Sequence, residues 1–90
     1  MSDVYEVIVA AEAVRAIRPL PKAYQKSVLT ALGALAALPR TGTPLTGELS
    51  GIWSLRRGDY RVLYRIDDAA KRVEVARVVH RRHRLPDAQV

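Results

Sequence analysis

Two groups of residues in the C-terminal half have the types and spacing to do chemistry. Arg56, Arg57, Arg61 and Arg65 form the first, and the run His80-Arg81-Arg82-His83 forms the second. Arginine is a phosphate-gripping residue: its planar guanidinium binds phosphate oxygens bidentately and stacks on bases. Arg61 and Arg65 are an even number of positions apart, so on a strand they project from one face. Arginine stays protonated at any physiological pH, so it can stabilise growing negative charge but cannot move a proton. Histidine can, because its unperturbed pKa lies near neutrality, and neighbouring arginines favour its neutral base form. The same residues also read as the solvent face of an amphipathic strand and a solvated basic terminus. The i, i+3 spacing of His80 and His83 invites a zinc reading, but there is no Cys and no third ligand in view. We therefore expect no metal and no cofactor.

These residues need a scaffold, and the pattern of the chain outlines one. Tyr5–Ala10 reads as an opening strand, and Glu12–Arg18 as a helix that stops at Pro19-Leu20-Pro21. Pro21 suits the first turn of a second helix reaching about Leu38. In it Tyr24, Val28, Leu32 and Leu35 make one apolar stripe, flanked by Leu29 and Ala36. Arg40–Glu48, rich in Thr, Gly and Pro, reads as a loop, and its Thr41-Gly42-Thr43-Pro44 lacks the Lys-Ser/Thr of a phosphate loop. Trp53–Arg56 starts a strand, and Arg57-Gly58-Asp59 marks a tight turn. Tyr60, Val62, Tyr64 and Ile66 then alternate with Arg61, Leu63 and Arg65. After a turn at Asp67–Lys71, Arg72–Val79 reads as a strand apolar on both faces, which would need cover on both sides. The expected fold is α+β in the order β-α-α-β-β-β, an antiparallel sheet with two N-terminal helices packed on one face. Trp53 lies beside Arg56 and Arg57, which suits stacking and backbone contacts on single-stranded RNA. Its register with Leu55 equally suits the core.

Composition narrows the class. Ninety residues form one domain, here 1–90, with a single modest core. A balance of 49% apolar and 27% charged residues is that of a folded domain, not a disordered tail. With no Cys the fold must be held by packing, which suits a reducing cytosol. The acidic N-terminus lacks the pattern of a signal peptide, and Val7–Ala11 is too short to span a bilayer. The expectation is a cytoplasmic protein with no membrane partner. The net charge is +6, and twelve of the fifteen basic residues are arginine. Residues 46–90 carry ten basic and six acidic groups, net +4, against five and three, net +2, in residues 1–45. That asymmetry, with arginine favoured over lysine, suits a nucleic-acid partner as well as an ordinary solvated surface.

The stretch from Leu49 to Tyr64, LSGIWSLRRGDYRVLY, carries a resemblance. Its Gly51-Ile52-Trp53 strand running to Arg56, followed by Tyr60-Arg61-Val62-Leu63-Tyr64, resembles the signature of RelE-type toxins in the RelE/ParE superfamily of type II toxin–antitoxin systems. The closing strand Val73–Arg81, ending in a basic cluster, is similar too, as is the order of elements. The resemblance implies a ribosome-dependent, metal-free mRNA endonuclease that inhibits translation and is neutralised by an antitoxin. A ribose 2′-hydroxyl would attack the adjacent phosphate. Arg61 matches the family's phosphate-binding arginine, Arg81 its second, near-C-terminal arginine, and Arg56 a basic residue of the preceding strand.

Such cleavage needs a base for the 2′-hydroxyl, cations for the phosphorane, and an acid for the 5′-leaving oxygen. RelE proper has lysines at the positions of Ile52 and Ser54, and a tyrosine near Asp87. The YoeB branch has a glutamate near Thr43. None of these proton-handling groups is present here. His80 or His83 is the expected replacement, beside the catalytic arginines Arg61 and Arg81. Arg56, Arg57, Arg65 and Arg82 are the expected RNA contacts. The expected partners are a cognate acidic antitoxin, in a hetero-oligomeric complex, and mRNA in the ribosomal A site. Two alternatives remain: a ParE-like toxin that poisons DNA gyrase without ribonuclease activity, and an inactivated toxin kept for antitoxin-linked DNA binding.

Overall fold

A computed structural model of the protein describes residues 4–80. The chain opens with β1 (Glu6–Val9), α1 (Ala11–Ile17) and α2 (Lys22–Ala37). It continues through a two-residue strand β2 (Thr43–Pro44) to β3 (Trp53–Arg57), β4 (Tyr60–Asp67) and β5 (Arg72–His80). The strands form one sheet in the order β1-β5-β4-β3-β2. β1 runs parallel to β5, and every other pairing is antiparallel. Ala13 and Ile17 of α1 and Val28, Leu32 and Leu35 of α2 close over Val62, Tyr64, Val73, Val75 and Val78 of the sheet. Both helices therefore cover one face, as the apolar pattern requires. Among the described residues no helix is long and apolar enough to cross a membrane.

The structure departs from the sequence expectations in four places. Pro21 sits just outside α2, where its carbonyl accepts the Tyr24 and Gln25 amides at 2.9 Å each. In α2, Tyr24 and Leu29 are 40% and 55% exposed, and Ala31 is buried instead. Val28, Leu32 and Leu35 of the expected stripe pack into the core, and the half-exposed Tyr24 still meets Tyr60 of the sheet edge-on. The predicted Arg40–Glu48 loop contains β2, which pairs Thr43 with Ser54 and Pro44 with Trp53. An edge strand tolerates proline because its outer side needs no donor.

The fourth departure changes the reading of β5. The β4–β5 register passes from Leu63↔Arg77 to Tyr64↔Val75, so Ala76 is an extra residue in the ladder. Such a bulge reverses the side-chain parity beyond it. Val73 and Val75 before the bulge and Val78 after it consequently face the helices, and all three are buried. The strand that looks apolar on both faces in sequence is one-sided in the fold. Its open side carries Glu74, Arg77 and Val79, so packing does not demand a second cover.

Candidate functional site

The β3–β4 hairpin builds the open face. Trp53, Leu55, Tyr60, Val62 and Tyr64 point towards the helices, leaving Ser54, Arg56, Arg61 and Leu63 on the other side. Gly58, with φ of 58°, takes the left-handed turn conformation that joins the strands. The register sets Arg56 directly opposite Arg61. Like charges directly across a ladder repel, so this pairing costs stability unless an anion lies between them. Both arginines are exposed, and neither makes an ion pair with a described residue. They line a groove of about 460 Å³ whose opposite rim is Thr41, Gly42, Thr43 and Leu45, with Ser54 and Leu55 between.

A buried tyrosine holds that rim in place. Tyr64 is fully buried, and its hydroxyl donates to the Pro39 carbonyl at 2.7 Å while accepting the Gly42 amide at 3.1 Å. Desolvation raises the Tyr64 phenol above its ordinary value, against the opposing effects of the Gly42 amide and the Arg40 charge. The group therefore stays a neutral donor. A methyl at Gly42 would sit 2.7 Å from both the Tyr64 hydroxyl and the Ser54 carbonyl. Only glycine lets the rim approach the sheet this closely.

A second network anchors the segment from outside. Arg40 donates to Asp68 at 2.6 Å, Tyr5 donates to the same carboxylate at 2.6 Å, and the Arg40 guanidinium lies 6.0 Å from the Trp53 ring centroid. The Arg40 hydrogen bond, followed by that from Tyr5, holds the Asp68 carboxyl below its usual range. The Asp68 bond in turn raises both Arg40 and Tyr5.

The remaining expected site residues divide. Arg65 shares the open face but stands opposite Glu74, so its charge is offset across the ladder. Arg57 is paired with Tyr60 and so lies on the helix-facing side. His80 is also paired with Tyr60, and its ring meets Tyr60 edge-on at 5.0 Å, with Tyr24 a further 5.3 Å beyond. The sheet thus separates His80 from Arg61, and the two do not form one constellation. Arg81, Arg82 and His83 lie outside the described residues.

Sequence reasoning misses Gly42, Thr43, Ser54 and Tyr64 as site residues. One signal does exist: an inward-facing tyrosine needs a partner for its hydroxyl. Nothing in the sequence says that this partner is a segment more than twenty residues upstream.

The chain and its fold have counterparts. A family profile described as "ParE toxin of type II toxin-antitoxin system, parDE" matches residues 7–85. Toxin RelE of Mycobacterium tuberculosis is 43% identical over 79 residues, covering 86% of this chain and 81% of that protein. Toxin RelG of the same organism is 44% identical over 79 residues, covering 86% and 91%. The solved toxin–antitoxin complex RelBE2 of M. tuberculosis contains a chain that superposes with a TM-score of 0.79 at 43% identity, covering 89% of this chain and 94% of that one. The profile carries the ParE name and the relatives carry RelE and RelG. The relatives are the finer guide, because identity above 40% over most of both chains compares this sequence with individual proteins, not with a broad profile.

Proposed function

The chain belongs to the RelE/ParE superfamily of type II toxin–antitoxin toxins, and on that premise we propose that it is a RelE-like endoribonuclease cutting mRNA in the ribosomal A site. The observation that carries the proposal is the Arg56–Arg61 couple, without an ion pair among the described residues, facing a groove on the open sheet face. Two guanidiniums opposed across a ladder suit a scissile phosphate between them, where they would stabilise the charge of the phosphorane. The 2′-oxygen bonds to phosphorus and the 5′-oxygen leaves, yielding a 2′,3′-cyclic phosphate. Arg81 is assigned as a second cation and Arg82 as an RNA contact. Because His80 faces the helices, proton transfer is assigned to His83. Replacing Arg61 with Ala is expected to lower ribosome-programmed mRNA cleavage about 10²–10³-fold. Undiminished cleavage would overturn the role.

A cognate antitoxin is the second partner we propose. The related chain in RelBE2 was solved in a toxin–antitoxin complex. An acidic antitoxin segment suits the +6 chain and would offset the Arg56–Arg61 repulsion. The ParE name of the matched profile favours one other reading, a gyrase poison. Rapid translation arrest on expression supports mRNA cleavage, whereas SOS induction with DNA breaks supports gyrase.

A further inference from the structure

We propose that the groove beside Arg56 and Arg61 is a subsite for one unstacked base of single-stranded RNA, read by the hydroxyls of Thr43 and Ser54. The inference rests on the RNA reading above and adds a selectivity to it.

The groove's chemistry is divided. One wall is the two guanidiniums, and the other is uncharged: Thr41, Gly42, Thr43 and Leu45, with Ser54 and Leu55 at the base. A nucleotide has the same division, an anionic phosphate joined to a neutral base with a polar edge. With the phosphate on the arginines, the next group along the strand meets the neutral wall. A volume of about 460 Å³ lies within the range of small-ligand pockets, roughly 300–1,000 Å³.

The neutral wall is also preorganised. The Thr41 hydroxyl is committed to the Leu38 carbonyl at 2.7 Å, and the Gly42 amide to Tyr64. Leu45 donates its amide to the Ile52 carbonyl at 2.8 Å, and β2 pairs with β3. Thr43 and Ser54 sit opposite each other in that pairing, and neither side-chain hydroxyl makes a hydrogen bond to a described residue. Two hydroxyls on a fixed wall, each able to donate and accept, are suited to a base edge. Sequence-selective RNA recognition works in this way, on unpaired bases splayed from the strand.

The test is binding of the full chain to labelled short single-stranded RNAs that differ at one position, A, C, G or U, measured by fluorescence anisotropy. The native protein is expected to rank the four bases. In Thr43→Val and Ser54→Ala the ratio of best to worst base is expected to fall about fivefold or more. Thr30→Val, on the exposed side of α2, serves as the control and keeps the native ratio. An unranked native protein, or an unchanged ratio in both groove variants, overturns the subsite while leaving the phosphate reading intact. If Arg56→Ala with Arg61→Ala does not weaken binding to any of the RNAs, the phosphate reading fails and the subsite with it.

Discussion

Two sets of arginines, one paired with carboxylates and one opposed across the ladder, separate what holds the fold from what is left for a ligand. Arg40, Arg72 and Arg77 each meet a carboxylate: Asp68 at 2.6 Å, Glu6 at 3.6 Å and Glu12 at 3.0 Å. These pairs tie distant parts of the chain together, β5 to β1, β5 to α1, and the Pro39–Thr41 turn to the β4–β5 turn. All are largely solvated, so each adds little to stability. Arg56 and Arg61 are the reverse. They face each other with no carboxylate among the described residues, at a cost to the hairpin. A cation that costs stability at home is the better candidate for work on a partner.

The largest effect should come from Arg61→Ala. Its expected loss of about 10²–10³ in mRNA cleavage should come with a change in stability of at most about 0.5 kcal/mol, read from parallel cleavage assays and denaturant melts. Arg77→Ala should leave cleavage within a few-fold. Equal losses in both would erase the distinction between the sets.

Next comes the rim of the groove. Tyr64→Phe leaves the Pro39 carbonyl and the Gly42 amide without their partner and should cost about 1–3 kcal/mol in urea unfolding. A loss of only a few tenths would mean that the rim is held by other contacts.

A smaller effect sharpens the comparison most. Arg56→Glu places a carboxylate opposite Arg61 and should stabilise the hairpin by about 0.2–1 kcal/mol while cleavage falls. Lowered stability in that variant would show that the two arginines do not repel. The smallest effect concerns Asp68, whose folded pKa is depressed. Its contribution is present above the unfolded carboxylate value and is lost as pH falls through the lower folded value. Asp68→Asn should therefore lower the thermal midpoint slightly at neutral pH and flatten the acid side of its profile, so that the two proteins converge below about pH 4.

Much of this is legible in the chain, for local reasons. The alternation of Tyr60–Ile66 reveals both faces of β4, and with them the outward position of Arg61 and the burial of Tyr64. Proline and apolar spacing locate both helices to within a few residues. What the sequence hides is non-local. The extra residue at Ala76 leaves no trace in composition, yet it turns Val78 inward and places His80 on the helix-facing side. Thr43–Pro44 reads as part of a loop because two residues are too few to show a period, and only pairing with β3 makes them a strand. Which arginines are neutralised depends on carboxylates such as Glu12 and Asp68, brought close by the fold.

The most direct test is the salt dependence of single-stranded RNA binding. Removing one phosphate-binding cation should reduce the slope of log Kobs against log[salt] by about 0.7. Arg56→Ala and Arg61→Ala should each show that reduction, and Arg77→Ala none. A full slope in Arg61→Ala, or an equal reduction in Arg77→Ala, would contradict the assignment of Arg56 and Arg61 to phosphate.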